Sequence, residues 1–158
     1  MTLIPGPVTP SLDEQGRRSW RVEVKGGRQG PSAWLSANHR RHWRASSKLA
    51  ASWRESAGWA FRAAALPRLE CVDVLVLLRF ASWARRDPAN YHPTAKPVVD
   101  GMVDAGVVEE DDWSRLVGPR LDLGEPTGSG PMVAASVVVV VTDLGPRRTR
   151  ADVEEATR

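Results

Sequence analysis

Cysteine is nearly absent from this sequence. Cys71 stands alone, which excludes a disulfide framework and any cluster of thiolates for zinc, and makes a reducing, cytoplasmic setting the expectation. Long apolar runs are missing too. The longest, around Val74–Leu78 and Val137–Val141, are far too short to span a bilayer, so no membrane partner is expected. The first ten residues lack the basic start and apolar stretch of a secretory leader, and no internal repeat is visible. A large excess of one charge is also lacking. With 158 residues and a formal net charge of +3, the chain is the size of one domain with its own core, and the total charge alone does not call for a nucleic-acid partner.

The distribution of charge says more than the total. Arg40, Arg41, Arg44 and Lys48 gather before and into one helical segment, and Arg85 and Arg86 directly precede an acidic stretch. Acid collects at Glu109, Glu110, Asp111 and Asp112. Basic patches around a compact acidic centre suit an enzyme that grips a polyanion and sets a cation against it; solvated surface charge is the plainer alternative.

Residues 1–16 read as an irregular lead-in, residues 17–143 as the folded domain, and residues 144–158 as a charged, disordered tail. Trp20, Val22 and Val24 alternate with Arg21, Glu23 and Lys25, the period of a strand buried on one face. Gly26, Gly27, Gly30 and Pro31 close it with a turn, and Trp34-Leu35-Ser36 could form a short second strand. Apolar residues at spacings of three and four predict a helix over 46–65, capped by Ser46 or Ser47 and stopped by Pro67, with Trp53 and Trp59 in the core. Gly58 inside it has no evident local reason. Cys71 to Phe80 predicts a strand, Thr94 to Ala105 a second helix capped by Thr94 with Pro97 in its first turn, and Gly106 its stop. Leu116 to Leu123 predicts a strand interrupted at Gly118-Pro119, and Val133 to Thr142 a last strand buried on both faces. The whole is an α+β domain: a small mixed β-sheet packed against two helices.

The chemistry-bearing stretch lies between Asp87 and Asp112. Asp87 sits in the loop after a buried strand, where a rigid scaffold commonly presents functional groups. Lys96, Asp100 and Asp104 recur every four residues and share one helix face. Two carboxylates ~4 Å apart repel by about 4 kcal/mol at an effective dielectric near 20, so a fold that gathers several of them needs a cation or proton there. Hard carboxylate oxygens without cysteine or paired histidine select Mg²⁺, with Mn²⁺ as substitute. Carboxylates with a lysine suit phosphodiester hydrolysis. His39 and His42 form a His-x-x-His pair, but no further ligand pair accompanies them, and DNA contact suits His39 better. Trp43 is a candidate for stacking on a base or for core packing, and Trp113 for anchoring the acidic loop.

Taken in order, Asp87, Asn90, Lys96, Asp100-Gly101-Met102, Asp104-Ala105-Gly106 and Asp111-Asp112 resemble the central pattern of the RusA family of Holliday junction resolvases. Ser36-Ala37-Asn38, followed by a basic stretch and a helix, is similar to that family's N-terminal region. The resemblance covers roughly residues 34–141. It implies a RusA-like fold and a homodimeric, Mg²⁺-dependent endodeoxyribonuclease that nicks four-way (Holliday) DNA junctions in pairs, in recombination and repair, as in phage-type members. It further implies Asp87, Lys96 and Asp111 as catalytic residues and Asp87, Asp111 and Asp112 as metal ligands. Asn90, Asp100 and Asp112 would be supporting groups, and Asn38, His39, Arg40, Arg41, Arg44, Arg85 and Arg86 would contact DNA. Two departures stand out. Ala89 replaces an expected aspartate, and Tyr91-His92-Pro93 lengthens the stretch before Lys96, so His92 or Asp100 is a candidate to compensate. A nuclease for flap, branched or duplex DNA, and a DNA-binding protein with a decayed metal site, are the alternatives.

Overall fold

The computed structural model describes residues 6–27, 31–130 and 133–158; Met1–Pro5 of the lead-in and Gly30 of the expected turn lie outside the described residues. Strands β1 (Ser11–Leu12), β2 (Arg18–Lys25), β3 (Cys71–Arg79), β4 (Leu116–Leu123) and β5 (Ser136–Gly145) form one sheet in the order β1-β2-β5-β3-β4. β5 lies antiparallel between β2 and β3, whereas β3 and β4 run parallel. A parallel neighbour requires a crossover, and α2 (His92–Asp104) supplies it; α1 (Trp43–Ala64) connects β2 to β3. The fold is therefore a small α+β domain with a mixed sheet, as its alternating patterns predict. No helix of the described residues is long and apolar enough to cross a membrane.

Register explains the core. Val74 pairs with Val141, Val76 with Val139 and Leu78 with Val137, while Trp20, Val22 and Val24 pair with the same three residues from the other side. Those side chains share one face, and Leu49, Trp53, Ala57 and Phe61 of α1 with Val98, Val99 and Met102 of α2 close over it. Among the described residues no helix covers the opposite face. Val138 and Val140 are only half-buried there, beside Leu75 and Leu77, so the valine run of β5 is not buried on both faces as predicted.

Other local expectations also give way. Ser11–Leu12 forms a strand inside the supposed lead-in, because the Asp13 carboxylate accepts the amides of Gln15 and Arg17 and folds the chain back onto β2. Trp34 and Leu35 are buried without forming a strand, after a 3-10 turn at Pro31–Ala33; the Trp53 indole donates to the Ala33 carbonyl at 2.9 Å. α1 starts at Trp43 because His42, not Ser46 or Ser47, caps it: its Nδ1 accepts the Arg44 amide. Trp59 is 67% exposed, since a spacing of six from Trp53 turns it off the buried stripe. The 144–158 segment is not wholly irregular. A short helix, α3 (Arg150–Ala156), forms where Thr149 and Asp152 make a capping box.

Thr94 departs most instructively. α2 begins at His92, so Pro97 lies beyond the first turn and Thr94 is not its cap. Thr94 is fully buried, and its Oγ1 accepts the Leu35 amide and donates to the Leu35 carbonyl, both at 2.8 Å. One hydroxyl thereby satisfies two buried backbone groups of a segment with no ladder of its own. Thr94→Val keeps the shape and strands both groups, so unfolding in denaturant is expected to show a loss of about 2 kcal/mol.

The two helices are also tied by charge. Arg54 donates from Nε and Nη2 to the two carboxylate oxygens of Asp104, at 2.6 and 2.8 Å. This fork holds the Asp104 carboxyl below the ordinary value of 3.8. A lowered carboxylate pKa contributes stability above the unfolded value and loses it as the pH falls through the folded one. Arg54→Gln should therefore melt below the native chain near neutrality, and the two melting temperatures should converge as the pH is taken below 3.8.

Candidate functional site

Lys96 is the centre of the acidic region. It stands on α2 one turn before Asp100, and its Nζ donates to Asp100 Oδ1 at 2.6 Å and to Asp111 Oδ2 at 2.5 Å. The first bond follows from helical spacing of four. The second is long-range in structure: α2 ends at Asp104, Gly106 with its positive φ of 82° reverses the chain, and residues 107–112 return along the helix to set Asp111 beside it. The amides of Gly106 and Val107 bond the carbonyls of Val103 and Met102, the paired pattern of a glycine-terminated helix. Asp100, and then Asp111, raise the Lys96 pKa above its ordinary value by hydrogen bonding to the ammonium. Two carboxylates against one ammonium leave this group with one net negative charge.

Asp112 is turned elsewhere. Its Oδ1 accepts the Ser114 amide at 2.7 Å and the Ser114 hydroxyl at 2.5 Å, and these bonds hold its carboxyl below the usual range. Ser114 is buried, and its hydroxyl also accepts from Arg147 Nε at 2.6 Å. The Arg148 amide donates to the Ser114 carbonyl, and the Arg148 guanidinium to the Trp113 carbonyl. The acidic loop is thus pinned from below by Ser114, Arg147 and Arg148, whereas Trp113, expected to anchor it, is 57% exposed. The sequence signal for this anchor was Asp112-Trp113-Ser114, an Asp able to bond the amide two residues on. Its long-range half, Arg147, had none.

Asp87 is exposed and caps the 3-10 turn Pro88–Tyr91, accepting the Ala89 amide at 3.0 Å. Asn90 closes that turn, and its carbonyl accepts the Ala37 amide at 2.8 Å, joining it to the Ser36-Ala37-Asn38 segment. Among the described residues no three His, Cys, Asp or Glu side chains are grouped closely enough to hold a metal ion. The expected set of Asp87, Asp111 and Asp112 is therefore not drawn together. The carboxylates that do converge are Asp100 and Asp111. Their hard oxygens match Mg²⁺, which keeps several waters and is commonly held by one or two carboxylates. His92, beside Pro93, is exposed and joins no such group.

The basic residues divide. Asn38, His39, Arg40, Arg44 and Arg85 are exposed, and Arg40 and Arg85 make no ion pair with any described residue. Arg44 lies against the exposed Trp43 ring, 5.2 Å from its centroid. Arg41 instead donates to the carbonyls of Ser32 and Trp34, bracing that loop, and Arg86 stacks over Phe80 at 4.2 Å. Exposed Asn38, His39 and Arg40 therefore stand on a segment tied to the Asp87 turn.

No protein-family model matches this chain. No curated protein matches it either.

Proposed function

We propose that this chain is a divalent-cation-dependent endodeoxyribonuclease of the RusA kind, nicking four-way DNA junctions in pairs as a homodimer in the cytoplasm. The observation that supports it most is the convergence of Asp100 and Asp111 on Lys96 Nζ, in a chain whose exposed Arg40 and Arg85 make no ion pair with any described residue. A site with one net negative charge repels a phosphodiester, so DNA reaches it productively only when a cation reverses that charge. Asp100 and Asp111 would hold that cation, and bound there it supplies Lewis acidity to the phosphodiester. Lys96 keeps its proton, and its ammonium would stabilise charge on the phosphate or the departing oxygen. Arg40, Arg44 and Arg85 would position the arms through phosphates, which fixes register without reading sequence.

A second reading, DNA binding without hydrolysis, is favoured by the lack of a three-ligand group among the described residues and by Ala89. Incubation of the purified protein with Mg²⁺ and synthetic junction, flap and linear duplex substrates separates the readings. Paired, symmetric nicks confined to the junction support resolution. Equal cutting of all three reduces the activity to general nuclease work, and binding without any cutting leaves the second reading.

A further inference from the structure

Beside the Asp87 turn lies a cavity of about 240 Å³ that the acidic site does not use. Three rings build it from distant parts of the chain. Trp34 and Phe80 stand 4.3 Å apart between centroids, Phe80 and Tyr91 4.9 Å, and Trp34 and Tyr91 6.0 Å. His39, Arg79, Ala81, Arg86 and the Thr127–Gly130 loop add to the wall, and no carboxylate lines it among the described residues. Its volume falls below the roughly 300–1,000 Å³ of sites for drug-sized ligands, so a single planar ring system suits it better than a large cofactor. Arg86 uses one nitrogen on the Ser82 carbonyl and keeps other donors, while its plane covers Phe80.

We propose that this cavity receives one unpaired nucleobase of a DNA strand, stacked on the Tyr91 ring beside the Arg86 guanidinium that covers Phe80, with the remaining Arg86 donors and His39 at the flanking phosphates. Every base offers a π face to an aromatic wall, and cations beside it suit the attached backbone. An aromatic side chain of a protein partner would fill the same space, but a rim that is cationic and free of acid favours the polyanion. Arg86 directly precedes Asp87, and Tyr91 ends the turn that Asp87 caps, so a seated base would hold its strand against the segment joined to α2. The inference rests on the DNA-directed part of the reading above and does not need hydrolysis.

The test is binding of the full chain, in EDTA, to short labelled single strands that carry bases or are abasic throughout, followed by fluorescence anisotropy. The base-bearing strand should bind about tenfold more tightly than its abasic counterpart. Ala81 is exposed on the cavity wall, so Ala81→Leu plugs the space without entering the core and should abolish that preference. Tyr91→Ala should do the same, with melting curves verifying the fold of both variants. Arg86→Ala should weaken both strands. Equal affinity for the two strands, a preference that survives Ala81→Leu, or displacement of the strand by an acidic tryptophan-bearing peptide at equal concentration would each overturn the proposal. Because EDTA removes cleavage, a base preference without junction nicking would discard the nuclease and keep this site, and the reverse result would do the opposite.

Discussion

Lys96→Met is expected to slow Mg²⁺-dependent nicking of a four-way junction by about 10²–10³-fold. Methionine keeps the reach of the side chain and removes its donors and charge. The ammonium bonds two carboxylates, so its loss also leaves Asp100 and Asp111 unscreened. Asp111 is exposed on its loop, and the melting temperature should therefore change little. Asp111→Asn should lose cleavage to a similar extent for a different reason, with one carboxylate fewer to hold a cation. The two variants separate in EDTA. Removing a negative charge beside the phosphate path should tighten junction binding for Asp111→Asn, while removing a positive one should weaken it for Lys96→Met. Single-turnover gel assays with paired binding curves read both quantities.

Gly101→Ala is expected to be severely destabilising. A Cβ at this position would sit 2.3 Å from the Arg54 carbonyl oxygen, 2.6 Å from the Ala57 Cβ and 2.9 Å from the Gly58 nitrogen. Those are mostly backbone atoms of α1, so relief requires the helices to move apart. Overpacking of this kind costs about 3 kcal/mol, or roughly 6–12 °C in Tm for a chain of this size. Gly58→Ala is the matching control. The nearest atoms its Cβ would meet are those of the flexible Arg62 guanidinium, at 3.3 Å and beyond, and the gain in helix propensity is about 1 kcal/mol, so scanning calorimetry should find it neutral or mildly stabilising. Since α2 carries Lys96 and Asp100, loss of the α1–α2 contact should also lower cleavage.

That contact shows what a sequence can and cannot reveal about this fold. Alternation at Trp20–Lys25 and along β3, and the three-four spacing of α1, follow from which side of an element is buried, and they are local. The glycine in Asp100-Gly101-Met102 is equally visible, but its reason lies on another helix, so it reads as motif rather than as packing. Thr94 misleads on the same ground: a hydroxyl near a helix start suggests a cap, and only the folded chain presents Leu35 to it. Within the site, the Lys96–Asp100 pair was legible from spacing, whereas Asp111 needed the reversal at Gly106 to reach the same nitrogen. Asp112, adjacent in sequence, went to Ser114, because neighbouring side chains on a turning loop point in different directions. The Trp34, Phe80 and Tyr91 cavity gathers residues from three segments and left no periodic trace at all.

Binding of Mn²⁺ followed by electron paramagnetic resonance tests the central claim most directly, since it reads the carboxylate pair without DNA or turnover. The native chain should take up the ion at one site, with free Mn²⁺ signal lost in proportion to protein added, and an Asp100→Asn, Asp111→Asn double variant with an unchanged melting curve should leave the ion free. A native chain that leaves Mn²⁺ in solution, or a double variant that binds it as well as the native chain does, would contradict the account.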